Sequence, residues 1–328
     1  MTTLMREIPL ADQVKVEGPA ADGRWTCSFF AFNTALSVLL YAGEMNASAV
    51  RAAIDAVVER CRFLERKLSR FQQDSDIARL NAARGNRVMI APETYDVLRA
   101  SLGYCEASQG AFDITVGAAL ALWDFSNGVV PRSAGLQLAL EHVDWRAVEL
   151  GEGDGSYWAR LRDPAAQVDV GGTAKGWIAD DMRALFQAAG MENGFVNLGG
   201  NVLAFGGKPD GTPWGVGIRN PFDPDTTFGA LYVDHGSVVT SGPYERFFEQ
   251  DGTVYHHILN PRTGFPVETD LASATIVSEC SVDGDGYSTT LFALGSKRAL
   301  ELVETLTGME AMLITNAGEV LVSSGLQL

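Results

Sequence analysis

KGWIADDMRALFQAAGMENGFVNLGGNVLAFG, residues 175–206, contains the change of period that decides the fold class. In its first half Ile178, Met182, Leu185 and Phe186 recur at helical spacing on one face, which predicts an amphipathic helix over residues 175–189. In its second half, FVNLGGNVLAFG, the pattern switches to strands. Toward the C-terminus the strand signal continues through WGVGIRN (214–220), FGALYVD (228–234), TVYHHILN (253–260) and SATIVSE (273–279). Asp285 to about Leu306 returns to helix, and MLITNAGEVLVSS (312–324) closes the chain as a hairpin around Asn316-Ala317-Gly318. Toward the N-terminus, residues 113–155 are loop-rich with short helices, and GEGDGS (151–156) is a surface turn. A helix starts near Pro92 and ends by Gly110. Val50, Ile54, Val57, Cys61, Leu64 and Leu68 mark a long amphipathic helix, and WTCSFFAFNTALSVLLYA (25–42) is rich enough in aromatic and β-branched residues to form strands. Helices and strands mix without regular βαβ alternation, so the expected class is α+β, with mixed β-sheets and packed helices. Residues 1–24 are expected to be an N-terminal extension and 25–328 a single domain, with the active site in a cleft between its two halves.

Composition narrows the partners. The 328 residues hold 25 basic and 41 acidic side chains, a net charge of −16. Nucleic-acid binding needs a basic footprint, and no polybasic segment is present for an anionic membrane. Partners are therefore expected to be small molecules or proteins. No stretch approaches the apolar length of a membrane span. Residues 1–18, MTTLMREIPLADQVKVEG, lack the apolar core of a signal peptide and a cysteine for a lipid anchor, so a cytoplasmic location is expected. Cys27, Cys61, Cys105 and Cys280 are far apart and form no CxxC pair, which favours buried free thiols over a disulfide framework or a zinc site.

Three segments carry candidate chemistry. His256 and His257 are adjacent in TVYHHILNPRTGFPV, so strand alternation lets one reach a cleft while the other packs. A histidine before the NPRTGFP turn is placed to act as a general base near neutral pH. His142 and His235 are taken as structural. In CSVDGDGYSTTLFALG (280–295), Asp285 and Thr289 share a helix face and offer two hard oxygens suited to magnesium. From that segment alone plain helix capping is the better account, since Asp is a favoured N-cap. Gly284 and Gly286 leave room for backbone or ligand. In VDVGGTAKGWIADDM (168–182) small residues lead to a helix start that suits an anion. The spacing is not that of a phosphate-binding P-loop. Lys175 serves there, or pairs with Asp180 or Asp181 on its own helix. QGAFDITVGAALALWDF (109–125) and LSRFQQDSDIARLN (68–81) mix apolar and polar groups in a way that suits a pocket for a flat ligand.

These segments, with FVNLGGN, GIRNP and TSGPYERFF in the same order, resemble the ApbE family of FAD:protein FMN transferases from about Phe32 to Gly295. The resemblance implies a magnesium-dependent enzyme that moves the FMN half of FAD onto a threonine of an acceptor protein and releases AMP. It implies magnesium held by the Ala174 carbonyl, Asp285 and Thr289, and His257 as the catalytic base. It implies a flavin site drawing on Phe32, Phe71, Ala111, Phe112, Asp113, Lys175, Trp177, Ser241, Gly242, His256 and Ile258. Three departures stand out. Gly-Asp-Gly replaces an alanine-flanked aspartate, Phe32-Asn33-Thr34 replaces Met-Gly-Thr, and Pro243 follows TSG where an acidic or amide residue is usual. A hydrolase that splits FAD into FMN and AMP, or a non-catalytic flavin-binding protein, are the alternatives.

Overall fold

The computed structural model describes residues 14–223 and 225–327. The chain begins with strands β1 (Lys15–Glu17), β2 (Arg24–Ala31) and β3 (Thr34–Tyr41). There follow α1 (Ala47–Leu68), α2 (Asp76–Ala82), β4 (Val88–Ile90), α3 (Pro92–Ala107), α4 (Gly117–Leu120) and α5 (Ser133–Leu140). Next come β5 (Val148–Gly153), β6 (Ser156–Leu161), α6 (Ala174–Ala188), β7 (Asn193–Leu198), β8 (Asn201–Phe205), β9 (Trp214–Arg219) and β10 (Thr227–Val233). The rest is β11 (Gly236–Ser241), β12 (Phe247–Gln250), β13 (Thr253–His256), β14 (Leu271–Ser278), α7 (Ser281–Leu294), α8 (Ser296–Val303), β15 (Met309–Thr315) and β16 (Val320–Val322). This is the expected α+β class.

Nine strands form one sheet in the order β1-β2-β3-β7-β8-β11-β14-β15-β16, and each neighbouring pair is antiparallel. Helices α1, α6 and α7 cover one face. α1 buries Val50, Ile54, Val57, Cys61, Leu64 and Leu68, the stripe that its periodicity marks. On the other face the β9–β10 hairpin places Ile218 and Leu231 against Val238, Ala272, Met312 and Ile314. Cover on both faces leaves β14 buried almost throughout, its polar Ser273, Thr275 and Ser278 included.

Several boundaries differ from expectation. The extension expected at 1–24 lies in part outside the described residues, and within it Lys15–Glu17 pairs with β2 as an edge strand of the large sheet. GEGDGS is a surface turn, at Asp154-Gly155, but it joins β6 to β5, a strand within the stretch expected to be loop-rich. The helix expected from 285 to 306 starts at Ser281 and breaks at Gly295, whose φ of 76° ends α7. Lys175 pairs with neither Asp180 nor Asp181, because those carboxylates face other elements. Asp181 meets Arg60 of α1 at 2.9 Å, and Asp180 turns to the start of α7. No helix among the described residues is long and apolar enough to cross a membrane. Cys27, Cys61 and Cys105 are buried free thiols, and Cys280 is half-buried.

Candidate active site

Helices α6 and α7 meet at their N-terminal turns, and each supplies a carboxylate to the other. Asp180 of α6 accepts the Ser281 and Val282 amides, at 3.0 and 2.9 Å, which satisfies two of the unpaired N–H groups that open α7. Burial pushes the Asp180 carboxyl above its ordinary value, against the pull of those two amides. Asp285 of α7 accepts the Gly176 amide of α6 at 2.6 Å. Gly176 permits this approach, since a Cβ there would sit 2.2 Å from the Ser281 carbonyl oxygen. Asp285 is thus not a helix cap: Cys280 holds the N-cap position of α7, and the Asp285 side chain, 4% exposed, turns toward the start of α6.

Gly284 and Gly286 admit the protein's own atoms. A Cβ at 284 would lie 2.6 Å from Val239 of β11, and one at 286 would lie 2.3 Å from the Tyr104 ring of α3. Tyr104 donates to Asp283 at 2.7 Å and stands edge-on to Tyr287. The Gly-Asp-Gly departure therefore has steric causes, Val239 at position 284 and the Tyr104 ring at position 286. Thr289, one turn beyond Asp285, lies 3.1 Å from the Ser241 hydroxyl, which is also 2.9 Å from Ser288. Gly242 follows closely packed, with the Tyr244 ring 2.5 Å from where its Cβ would be. Ala174, Asp285, Thr289 and Ser241 are in this way carried by three elements, α6, α7 and β11, with α7 packed against the other two.

No group of three His, Cys, Asp or Glu side chains among the described residues could hold a metal. What is present is one carboxylate, neighbouring hydroxyls and the carbonyls at the start of α6. Magnesium takes such hard oxygens, one or two carboxylates at a time, and completes its shell with water and phosphate. The donor chemistry fits that ion.

The histidine side of the site is fixed by turns. Asn260 accepts the Gly264 amide at 2.8 Å and Ile258 accepts Val267 at 2.9 Å, so NPRTGFP ends β13 at His256. The β12–β13 hairpin is held by rings: Phe248 stacks on Tyr255, and both reach Trp123, whose indole N–H donates to Gly264. His256 is buried, edge-on to Phe292 of α7. His257 is half-buried. Its backbone N–H donates to the Arg246 carbonyl at 3.1 Å, and its Nδ1 lies 3.3 Å from the same oxygen. Burial holds both imidazoles at about 4. At His257 the positive charges of Arg246 and Lys175 add to the effect, while the carbonyl contact opposes it. The titration expected near neutrality is accordingly displaced well into the acid range. Lys175 connects the two sides, since its charge acts on His257 and its neighbour Gly176 holds Asp285.

The remaining candidates lie around the loop that leads to α6. Asn81 grips Val168 at both ends, donating to its carbonyl at 2.9 Å and accepting its amide at 2.7 Å. Arg70 pairs with Asp169 at 3.0 Å, which fastens the segment carrying Phe71 to that loop. Phe71 is 83% exposed. Phe112 is buried, with its ring 2.9 Å from where a Gly172 Cβ would sit. Asp113 organises a turn, accepting from Thr115 and Trp145. Ala111 and Trp177 are half-buried, and Ile258 is buried. Phe32 and Asn33 form the two-residue β2–β3 turn with φ of 52° and 62°, and Glu65 of α1 accepts the Phe32 amide at 2.7 Å. Asparagine tolerates the left-handed region, which accounts for Asn33 at a position with φ of 62°. The sequence singled out neither Asn201, which donates to Asp285 at 2.9 Å, nor Arg246. Asn201 lies within FVNLGGN, but nothing local in that motif points to a partner 84 positions away.

A family model described as the ApbE family matches residues 32–313. The chain is 36% identical over 295 residues to the FAD:protein FMN transferase of Treponema pallidum (strain Nichols), covering 85% of this chain and 82% of that protein. It is 33% identical over 255 residues to an FAD:protein FMN transferase of Klebsiella pneumoniae (strain 342), covering 76% and 78%. Among solved structures, the ApbE protein of Thermotoga maritima superposes with a TM-score of 0.82 at 28% identity, over 95% of this chain and 97% of that one. The apo form of the flavinyl transferase ApbE of Pseudomonas stutzeri gives 0.78 at 27%, over 95% and 96%.

Proposed function

The chain belongs to the ApbE family, and on that footing we propose that it is an FAD:protein FMN transferase whose site works as follows. A threonine hydroxyl of the acceptor attacks the phosphorus on the FMN side of the FAD pyrophosphate. The bond from that phosphorus to the bridging oxygen breaks, and AMP leaves with the oxygen. The products are a phosphoester-linked FMN-threonine and AMP.

The observation that carries this reading is the joining of α6 to α7, where Asp285 accepts the Gly176 amide and Thr289, one turn on, meets Ser241. His257 takes the proton of the attacking hydroxyl. With Nδ1–H facing the Arg246 carbonyl, Nε2 is left unprotonated and able to accept. A pKa of about 4 keeps the imidazole neutral at physiological pH. Lys175 and Arg246 set positive charge beside a base that must work next to a phosphate anion. Asp285, Thr289 and the Ala174 carbonyl would hold magnesium, which when bound neutralises pyrophosphate charge. Phe71 offers a free aromatic face for the flavin ring. Phe112 and Asp113 are further residues that the family resemblance assigns to the flavin site.

The test is incubation with FAD, Mg2+ and an acceptor protein, following AMP and protein-bound FMN together. Equal amounts of both are expected. AMP with free FMN in equal amount, whether or not acceptor is present, would replace transfer by hydrolysis.

A further inference from the structure

Asp285 is held by more than the helix that bears it. Its Oδ2 accepts the Gly176 amide, and its Oδ1 accepts the Asn201 side-chain amide at 2.9 Å. Asn201 is itself locked. The Ser281 hydroxyl donates to Asn201 Oδ1 at 2.6 Å, and Ser281 in turn accepts from Ser237 at 2.9 Å. The two ends of an asparagine amide have nearly the same shape but opposite hydrogen-bonding roles. A donor hydroxyl at one end therefore forces the NH2 end toward the carboxylate. Asn201 is 1% exposed, and Ser237 and Ser281 are wholly buried, so bulk water does not compete for these bonds. The chain spans β11, α7 and β8 before it reaches Asp285, although only Asp285 faces the proposed reaction.

We infer that Asn201 is a positioning residue: its amide, oriented by Ser281, fixes the plane of the Asp285 carboxylate and so tunes that carboxylate as a divalent-cation ligand. The inference rests on the reading of Asp285 and Thr289 as the magnesium pair. With one oxygen on Gly176 and the other on Asn201, the carboxylate cannot rotate about its last bond without losing both partners. Its remaining lone pairs then point in one direction. Removing the Asn201 donor leaves the Gly176 contact as a single pivot. Partners of this kind, one step away from a metal, typically contribute roughly 10–100-fold in metal affinity.

The experiment is a calorimetric titration of Mg2+ into protein saturated with an FAD analogue whose bridging oxygen is a methylene, so that nothing turns over. Wild type, Asp285→Ala, Asn201→Leu and Ser281→Ala are compared. FAD-analogue affinity without metal and melting temperature are measured alongside. The expected result is no detectable Mg2+ binding for Asp285→Ala. Asn201→Leu should bind Mg2+ at least tenfold more weakly, with unchanged analogue affinity. Ser281→Ala, which frees the asparagine amide to turn over, should lie between Asn201→Leu and wild type, and it decides the matter if Asn201→Leu does not fold. Mg2+ affinity at the wild-type level in Asn201→Leu and Ser281→Ala, beside a loss in Asp285→Ala, would overturn the inference and leave the magnesium reading standing. Wild-type Mg2+ affinity in Asp285→Ala would overturn the magnesium reading and this inference with it. A lowered melting temperature with unchanged metal affinity would make Asn201 purely structural.

Discussion

Nδ1 of His257 lies 3.3 Å from the main-chain oxygen of Arg246, the same oxygen that accepts the His257 backbone N–H. A main-chain carbonyl cannot be removed by side-chain substitution, so the tautomer of His257 is secured by the backbone of the β12–β13 hairpin. Replacing His257 by alanine is expected to lower FMN transfer by roughly 10²–10⁴-fold, the range of general-base catalysis, with FAD affinity little changed. Measuring covalent FMN on an acceptor tests this. His256→Ala should cost less in transfer and more in stability, because its ring packs on Phe292.

The pH profile of transfer follows from the same geometry. A base active in its neutral form, with its pKa at about 4, gives a rate that is flat from pH 6 to 8 and falls as pH drops through about 4. A fall centred between pH 6 and 7 would mean that His257 is not the group being titrated, or that burial does not hold its pKa down.

Stability has its own pH dependence. His256 is buried and neutral, with a folded pKa of about 4 against an ordinary value of 6.5. Between those values the unfolded chain binds the extra proton, so stability rises with pH and is lost as pH falls from 6.5 toward 4. His256→Leu should remove its own share of that slope, up to about 3 kcal/mol at the acid end, while the share of His257 is the same in both proteins. The buried carboxyls Asp113 and Asp180, both raised by burial, act in the opposite sense in both proteins and cancel in the comparison. Urea denaturation at several pH values measures the difference.

Phe71 separates binding from folding. At 83% exposure its removal should change stability by less than about 0.5 kcal/mol. Phe71→Ala should weaken FAD binding by about 0.5–1.5 kcal/mol, the contribution of a stacked aromatic pair beyond its area. Phe71→Tyr should restore it. Equal affinity of the alanine variant and wild type in a flavin-fluorescence titration would remove Phe71 from the flavin site.

Much of this was open to sequence reading wherever the signal was local. The stripe from Val50 to Leu68 and the face of Ile178, Met182 and Phe186 are periodic, and both became helices. Strand β5 was hidden because its residues are mostly half-exposed or exposed and Gly- and Glu-rich, so no alternation marks it. The break at Gly295 was hidden because a glycine within a helical pattern does not announce a positive φ. Within the site, His257, Asp285 and Thr289 stood out as residue types suited to the chemistry. Their supports did not. Asn201, Ser281 and the Arg246 carbonyl act across long sequence separations, and each is an ordinary residue in its own segment.

Asn81 tests one such support. It imitates a strand partner for Val168, and its replacement by alanine leaves an amide and a carbonyl without partners, at a cost of about 1–3 kcal/mol each where buried. Asn81→Ala should therefore lower the melting temperature and also weaken FAD binding, because the loop it grips leads directly into α6. An unchanged FAD affinity would show that the loop keeps its shape without Asn81.

The exchange of carboxylates between α6 and α7 also governs how the molecule opens. Asp180 holds the Ser281 and Val282 amides, and Asp285 holds that of Gly176, so neither helix can fray at its first turn while the other stays in place. These three N–H groups belong to one cooperative unit, and solvent deuterium should enter them together and late, at the rate of global unfolding. The floor of the site would then be as long-lived as the fold itself.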